Sequence, residues 1–378
     1  MGKYRINAKH LPTLTTLTEN YSVYSSYRSG RATLSLTPDG TYNFNVSGDI
    51  SESTAKRCPT HKQAENKLTQ KMFQAYENIS NAFTKLHLSV KLRSADSFSL
   101  AKNVEPQKFY QWKQMPVAKP NSKEVKTILM NEAEAKSHNK SDGNAQLFYE
   151  SNKDSILKER LECWNSINQL FKDIEQAQET KTNSSYKLEY DKRAREQQDI
   201  IDGTEEAIAK AFEEMCLHLS VPTYINLDYS YKKQRGYIDV DVELMEDPAL
   251  KMPNSKTSYK ANGQISIKPK TQSEFTQDLS SYQLALAFYI ACSVFNLSPS
   301  IKKCAVSVYT SRKIQAICWL EFDRCNVMTT RQDASELLFE LCNIKNVSNL
   351  KLLKTTRRLE PIDPTKFQAL VQQAKVIP

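Results

Sequence analysis

The sequence of 378 residues predicts an α+β protein: an N-terminal antiparallel β-meander, a long helical arm, and a C-terminal mixed sheet with a buried helix. Three observations predict it. Residues 20–47 alternate apolar and polar with a period of two, as half-buried strands do. Residues 61–88 and 146–202 instead repeat apolar side chains every three or four positions, the stripe of an amphipathic helix. Beyond residue 203 the two periods alternate around the most apolar run of the chain, Leu284–Leu297.

In the meander, Leu34 and Leu36 share one face while Arg31, Thr33 and Ser35 share the other, and Tyr42, Phe44 and Val46 repeat the pattern. Thr37-Pro38-Asp39-Gly40 joins these two runs, with proline presetting φ and glycine accepting the positive φ that closes a hairpin. Arg28-Ser29-Gly30-Arg31 reads as the second turn, leading back to Tyr21–Tyr27 and placing two arginines at a tip. Leu68, Met72, Tyr76, Ile79, Phe83 and Leu86 then mark the first long helix. Prolines at 106, 116 and 120 make 89–121 irregular, and 122–145 reads as a polar, solvated linker.

Leu157, Leu161, Trp164, Ile167 or Asn168, Phe171 and Ile174 form a narrow stripe, which fits a helical hairpin or coiled-coil arm with a turn at Thr180–Ser185. Asp202-Gly203-Thr204 caps a further helix over 204–219. Strands follow at 223–231, 237–244 and 264–268, then the apolar helix, strands at 305–310 and 316–322, and a last amphipathic helix near 331–342. This α-β-β-β-α-β-β-α order predicts one sheet. The expected divisions are 1–55 (meander), 56–145 (helix and linker), 146–202 (arm) and 203–378 (α+β body).

Charge is distributed unevenly. Residues 1–126 hold 19 Lys+Arg against 9 Asp+Glu, a net of +10, and the other 252 residues hold 33 against 34, a net of −1. Tyrosines interleave with these cations, so a polyanion is the expected partner of the N-terminal module. Further cations sit at Lys56, Arg57, Lys62, Lys67 and Lys71, and at Lys351, Lys354, Arg357 and Arg358. Only 8 glycines argue against glycine-rich phosphate loops. No apolar run follows Met1-Gly2-Lys3-Tyr4, and the 14 residues of Leu284–Leu297 fall short of the roughly 20 that span a bilayer. The 8 cysteines form no CxxC pair and read as reduced thiols, so a cytoplasmic protein without membrane contact is expected.

Asp239, Asp241 and Glu243 alternate along one strand, so their carboxylates leave the same face about 7 Å apart per step. With Lys268 on the following strand, they match the layout of the restriction-enzyme-like nuclease core, where two carboxylates hold a metal and a lysine orients water. That core needs acid-x-Lys on the third strand. Here the strand reads Ser266-Ile267-Lys268, so a ligand is missing and a solvated acidic face is the competing interpretation. Cys58-Pro59-Thr60-His61 has half-zinc-site spacing, but no second pair completes four ligands. Of the five histidines, His218 is the one expected to be semi-buried. No metal and no cofactor is expected.

Several segments carry a family resemblance: Tyr237–Val242, Gly263–Lys268, Leu286-Ala287-Phe288, Phe295–Pro299, Val306–Arg312 and Phe322-Asp323-Arg324. Over 160–330 the chain resembles a group of uncharacterised bacterial proteins with an N-terminal β-hairpin domain of unknown function and a C-terminal α+β domain. That resemblance implies a bacterial cytosolic protein of two-part layout and no established activity.

The expected function is non-enzymatic binding, with Lys3, Arg5, Tyr24, Tyr27, Arg28 and Arg31 contacting nucleic acid or another polyanion. The alternatives are a degenerate metal-dependent nuclease using Asp239, Asp241 and Lys268, and a subunit, for instance of a phage-defence complex, that docks a protein partner or itself through helices 61–88 and 146–202.

Overall fold

The structure, a computed structural model, describes residues 3–25, 27–136, 144–259, 265–310, 315–329, 348–349, 351–352, 358–363, 365 and 367–369. The helix expected near 331–342, and Lys354 and Arg357, lie outside them. The protein is α+β, and the chain forms two compact units, one of Met1–Ser99 with Gln198–Pro378 and the other of Leu100–Gln197.

In the first unit, strands β1 (Tyr4–Ile6), β2 (Leu17–Ser25), β3 (Arg28–Leu36) and β4 (Tyr42–Gly48) precede helices α1 (Glu52–Arg57) and α2 (Pro59–Thr84). β2-β3-β4 is the antiparallel meander. Gly40 closes its second turn at φ 88°, as the sequence predicts. The first turn lies earlier than expected. Arg28–Arg31 is already strand, since Ser25 pairs with Arg28. Gly30 serves strand contact rather than a turn: a Cβ there would meet the Ser47 carbonyl oxygen at 2.7 Å. The apolar face of the meander lies on α2, where Leu34, Leu36, Ala64, Leu68, Met72 and Tyr76 form one core cluster. Farther along α2, Ile79 and Phe83 enter the main core. The stripe of α2 is therefore covered within this chain.

The main core lies against a six-stranded sheet of order β1-β5-β6-β9-β10-β11. After α6 (Glu205–His218) come β5 (Ile225–Lys232), β6 (Tyr237–Leu244), β7 (Ser255–Tyr259), β8 (Ile265–Pro269) and α7 (Gln272–Phe295). Then follow β9 (Lys303–Tyr309), β10 (Ala316–Asp323), α8 (Arg324–Thr329) and the short β11 (Ser348–Asn349), β12 (Lys351–Leu352) and β13 (Leu359–Glu360). β6 and β9 are parallel, whereas the other pairs of this sheet are antiparallel. The single-sheet expectation fails at the third strand, because β8 pairs with β7 in a separate hairpin. Alternation explains the burial: Ile238, Val240 and Val242 with Cys304, Val306 and Val308 join the core that includes α7. α7 opens with a capping box, Thr271 with Glu274. It is long and apolar enough by composition to cross a membrane, yet 83% of that window is buried inside the fold.

Among the described residues His87, not His218, is the buried histidine: it is 4% exposed, whereas His218 is exposed. Its ring meets Phe288 edge-on at 6.3 Å, and burial holds its pKa below the usual 6.5. The unfolded chain therefore takes up a proton that the fold excludes, so stability is lost as pH falls through the unfolded value. His87→Leu should flatten this loss between about pH 7 and pH 5. Urea unfolding at several pH values checks it, and parallel pH profiles for the two proteins would refute it.

The second unit holds α3 (Leu100–Asn103), α4 (Ser122–Lys136) and most of α5 (Asn144–Asp202). The linker expected over 122–145 is helical as far as Lys136, because Val125, Leu129 and Ala133 form a buried i, i+4 stripe. Residues 137–143 lie outside those described. α5 runs through Thr180–Ser185 without the expected turn. Thr180 and Ser185 donate to the carbonyls of Gln176 and Lys181, so their hydroxyls are satisfied within the helix. The irregular segment after α3 runs along α5. There the buried Glu175 accepts from the Lys113 backbone N–H (2.8 Å) and the Tyr110 hydroxyl (3.2 Å), and the Trp164 indole donates to the Val117 carbonyl (3.0 Å).

Candidate functional site

The meander presents a polar face away from α2. Register places Ser22 and Tyr24 on the same face as Ser29 and Arg31, since Tyr24 pairs with Ser29 and Ser22 with Arg31. Val23, Ala32 and Leu34 point the other way and are buried. At the tip Tyr24 is 73% exposed and Tyr27 fully exposed; Arg31 is exposed on the face of Tyr24, and Arg28, paired with Ser25, is exposed on the opposite face. Neither arginine has an ion-pair partner among the described residues, whereas Lys67 and Lys71 are both matched by Glu19. The Lys67 hydrogen bond lowers the pKa of Glu19. The basic residues along α2 are thus partly neutralised, and those at the tip are not.

Lys3 and Arg5 belong elsewhere. β1 pairs with β5 at the edge of the six-stranded sheet, not with the meander. Lys3 sits 3.7 Å from Glu243, and the Arg5 guanidinium lies over the Tyr224 ring at 5.9 Å. Lys251 also lies over that ring, at 4.8 Å. Here Lys9, His10, Tyr76, Tyr224 and Met252 help to line a cleft of about 670 Å³. Sequence reasoning missed this cleft. Its only trace was Tyr224 on the polar side of a strand, because Lys9, His10 and Tyr76, far from it in the chain, complete the lining.

Asp239, Asp241 and Glu243 do share the face of β6 opposite the main core. Their neighbours are Ser230, Asp228 and Asn226 on β5, and Ala305, Ser307 and Tyr309 on β9. Asn226 donates to Glu243 (3.2 Å) and Tyr309 to Asp241 (3.3 Å). Burial, then the nearby Asp241 carboxylate, pushes the Tyr309 hydroxyl pKa upward, and burial with Asp239 does the same to Tyr237. Part of this face is covered: Tyr237, Ala305 and Trp319 pack with Ile362 and Phe367.

Lys268 lies in the other hairpin, opposite Lys256. The acid-acid-lysine layout of a nuclease core is therefore not built across adjacent strands of one sheet. Among the described residues no three His, Cys, Asp or Glu side chains come together to hold a metal. The His61 of the half-zinc motif instead bonds the Tyr21 hydroxyl and meets Phe44 edge-on at 4.8 Å.

The fold and this site define an α+β protein with an exposed cationic and aromatic tip. Comparison gives it no family: no family model matches the chain, and neither does any curated protein or solved structure.

Proposed function

We propose that the protein is a non-enzymatic binding protein whose meander tip contacts nucleic acid or another polyanion. One observation carries this reading: Tyr24 and Tyr27 are exposed at 73% and 101% on a hairpin that also exposes two arginines without ion-pair partners among the described residues. Rings held in water beside free guanidinium groups offer a base a stacking surface and a phosphate a charge-assisted hydrogen bond. Lys3 and Arg5 form a second basic position at the β1 edge, next to the Tyr224 cleft.

Charge reversal tests the reading. Arg28→Glu with Arg31→Glu should weaken binding to a single-stranded oligonucleotide and flatten its salt dependence by about 1.4 in log–log slope, since each phosphate contact on a single strand contributes about 0.7. Lys67→Glu, at a cation that Glu19 already compensates, should change both much less. Equal effects from the two changes, or none from the first, would refute the tip as the contact surface. Fluorescence anisotropy titrations from low to moderate salt measure both quantities.

A second reading, a subunit that docks protein through its long helices, is favoured by one feature of α5. Ile167, Leu170 and Ile174 are 43%, 62% and 56% exposed, whereas Leu157, Leu161 and Phe171 of the same helix are half-buried.

A further inference from the structure

We infer that the second unit self-associates, with α5 pairing antiparallel to the α5 of a second copy of the chain. The exposed side chains of α5 follow a heptad. Cys163, Ile167, Leu170, Ile174, Ala177, Lys181, Ser184 and Leu188 are separated alternately by four and three residues, all on one continuous helix. Such spacing keeps one seam facing a partner helix. Ile167, Leu170, Ile174 and Leu188 are 43%, 62%, 56% and 73% exposed, and Cys163 is exposed as well. The segment at Tyr110–Val117 covers a different side, through Trp164, Glu175 and Glu179. A run of large exposed aliphatic residues at seam spacing marks an interface rather than a solvated face.

Charge selects both the occupant and its direction. The seam itself carries Arg160 at its N-terminal end and Lys181 toward its C-terminal end. In a parallel pair each of these cations would face its own copy across a seam layer, and like charges there are destabilising. Reversing one helix removes both clashes. With Leu170 against the partner's Ile174, Ile167 faces the partner's Ala177 and Ile156 faces the partner's Leu188. Arg160 then lies opposite the partner's Ser184, and Lys181 opposite the partner's Cys163. On the flank, Glu159 comes level with the partner's Lys187, an opposite-charge pair repeated by symmetry. Asp173 alone approaches its own copy, near the two-fold axis, where Gln169 already donates to it (2.8 Å). From Ile156 to Leu188 the seam would span about 48 Å at 1.5 Å per residue, between four and five heptads. The helix is therefore complementary to itself, and only head to tail.

A dimer of this kind would carry two copies of the meander tip, so a polyanion long enough to reach both would gain avidity. The pairing does not depend on that reading: loss of polyanion binding leaves the mass of the particle untouched.

Sedimentation equilibrium on the full chain should give twice the chain mass. Leu170→Asp with Ile174→Asp should weaken association by about 100-fold or more, because each side chain is buried twice per dimer. Both positions are exposed in the single chain, so its far-ultraviolet circular dichroism should be unchanged. Mild oxidation reads the direction. Lys181→Cys should yield a disulfide-linked dimer that Cys163→Ser abolishes, whereas the unsubstituted chain should not link through Cys163. A monomeric wild type, or a dimer that survives the double aspartate substitution, would overturn the interface. Cross-linking of Cys163 to its own copy would overturn the antiparallel direction.

Discussion

Arg324→Met is expected to cost about 3–5 kcal/mol of folding stability, since buried carbonyls that lose their donor cost about 1–3 kcal/mol each. Arg324 is 7% exposed at the start of α8. Its Nε donates to the Ile301 carbonyl (3.1 Å), and its Nη2 donates to the carbonyls of Ser298 (2.9 Å) and Phe295. Those carbonyls belong to the last turn of α7 and the loop after it, where the helix ends with unpaired acceptors and partial negative charge. Burial lowers the arginine pKa, but a guanidinium remains charged across the physiological range. Methionine would fill a similar volume, strip the Phe295 and Ile301 carbonyls of this donor, and leave Ser298 with only its long bond from the Ile301 N–H (3.4 Å). Arg324→Lys should recover part of the loss, since one ammonium cannot reproduce the planar fork. Urea unfolding measures both. A methionine variant within about 1 kcal/mol of wild type would show that water replaces the guanidinium.

Phe288→Ala should cost a similar amount, about 3–5 kcal/mol, through lost burial and the cavity left behind. Phe288 is fully buried near the middle of α7. Its ring meets Phe322 of β10 edge-on at 5.8 Å and His87 at 6.3 Å. It therefore joins the sheet to the segment that follows α2, two parts of the first unit far apart in sequence. Phe288→Leu should cost less than about 1.5 kcal/mol, because most of the volume is kept. Equal losses for alanine and leucine would assign the effect to the aromatic edge contacts instead of the cavity. Neither Arg324 nor Phe288 touches the meander tip, so the folded fraction of each variant should bind polyanion like wild type.

The meander, the two long helices and the strand–helix alternation after residue 203 were legible because each is a local periodicity. Leu34 and Leu36 face α2 for the same reason that they alternate with Thr33 and Ser35. The errors have equally specific causes. Gly30 resembles a turn glycine, but it makes room for the Ser47 carbonyl of the neighbouring strand. Thr180–Ser185 resembles a turn because serine and threonine favour one, yet their hydroxyls bond carbonyls one turn back and the helix continues. Lys3 and Arg5 precede the meander in sequence, yet Arg5 pairs with Asn226 of β5 and Lys3 meets Glu243, both more than two hundred residues away.

What the sequence by itself determined is the α+β class, the N-terminal concentration of positive charge and the inward faces of the meander and of α2. These depend on residue type and on spacings of two, three and four, which the chain carries without knowing its partners. Which strands pair, and so which charged residues meet, was decided only in three dimensions. β8 pairs with β7 rather than β6, which separates Lys268 from Asp239 and Asp241. Strand pairing depends on backbone hydrogen bonds that every strand offers alike, so the choice among strands falls to the packing of the whole core.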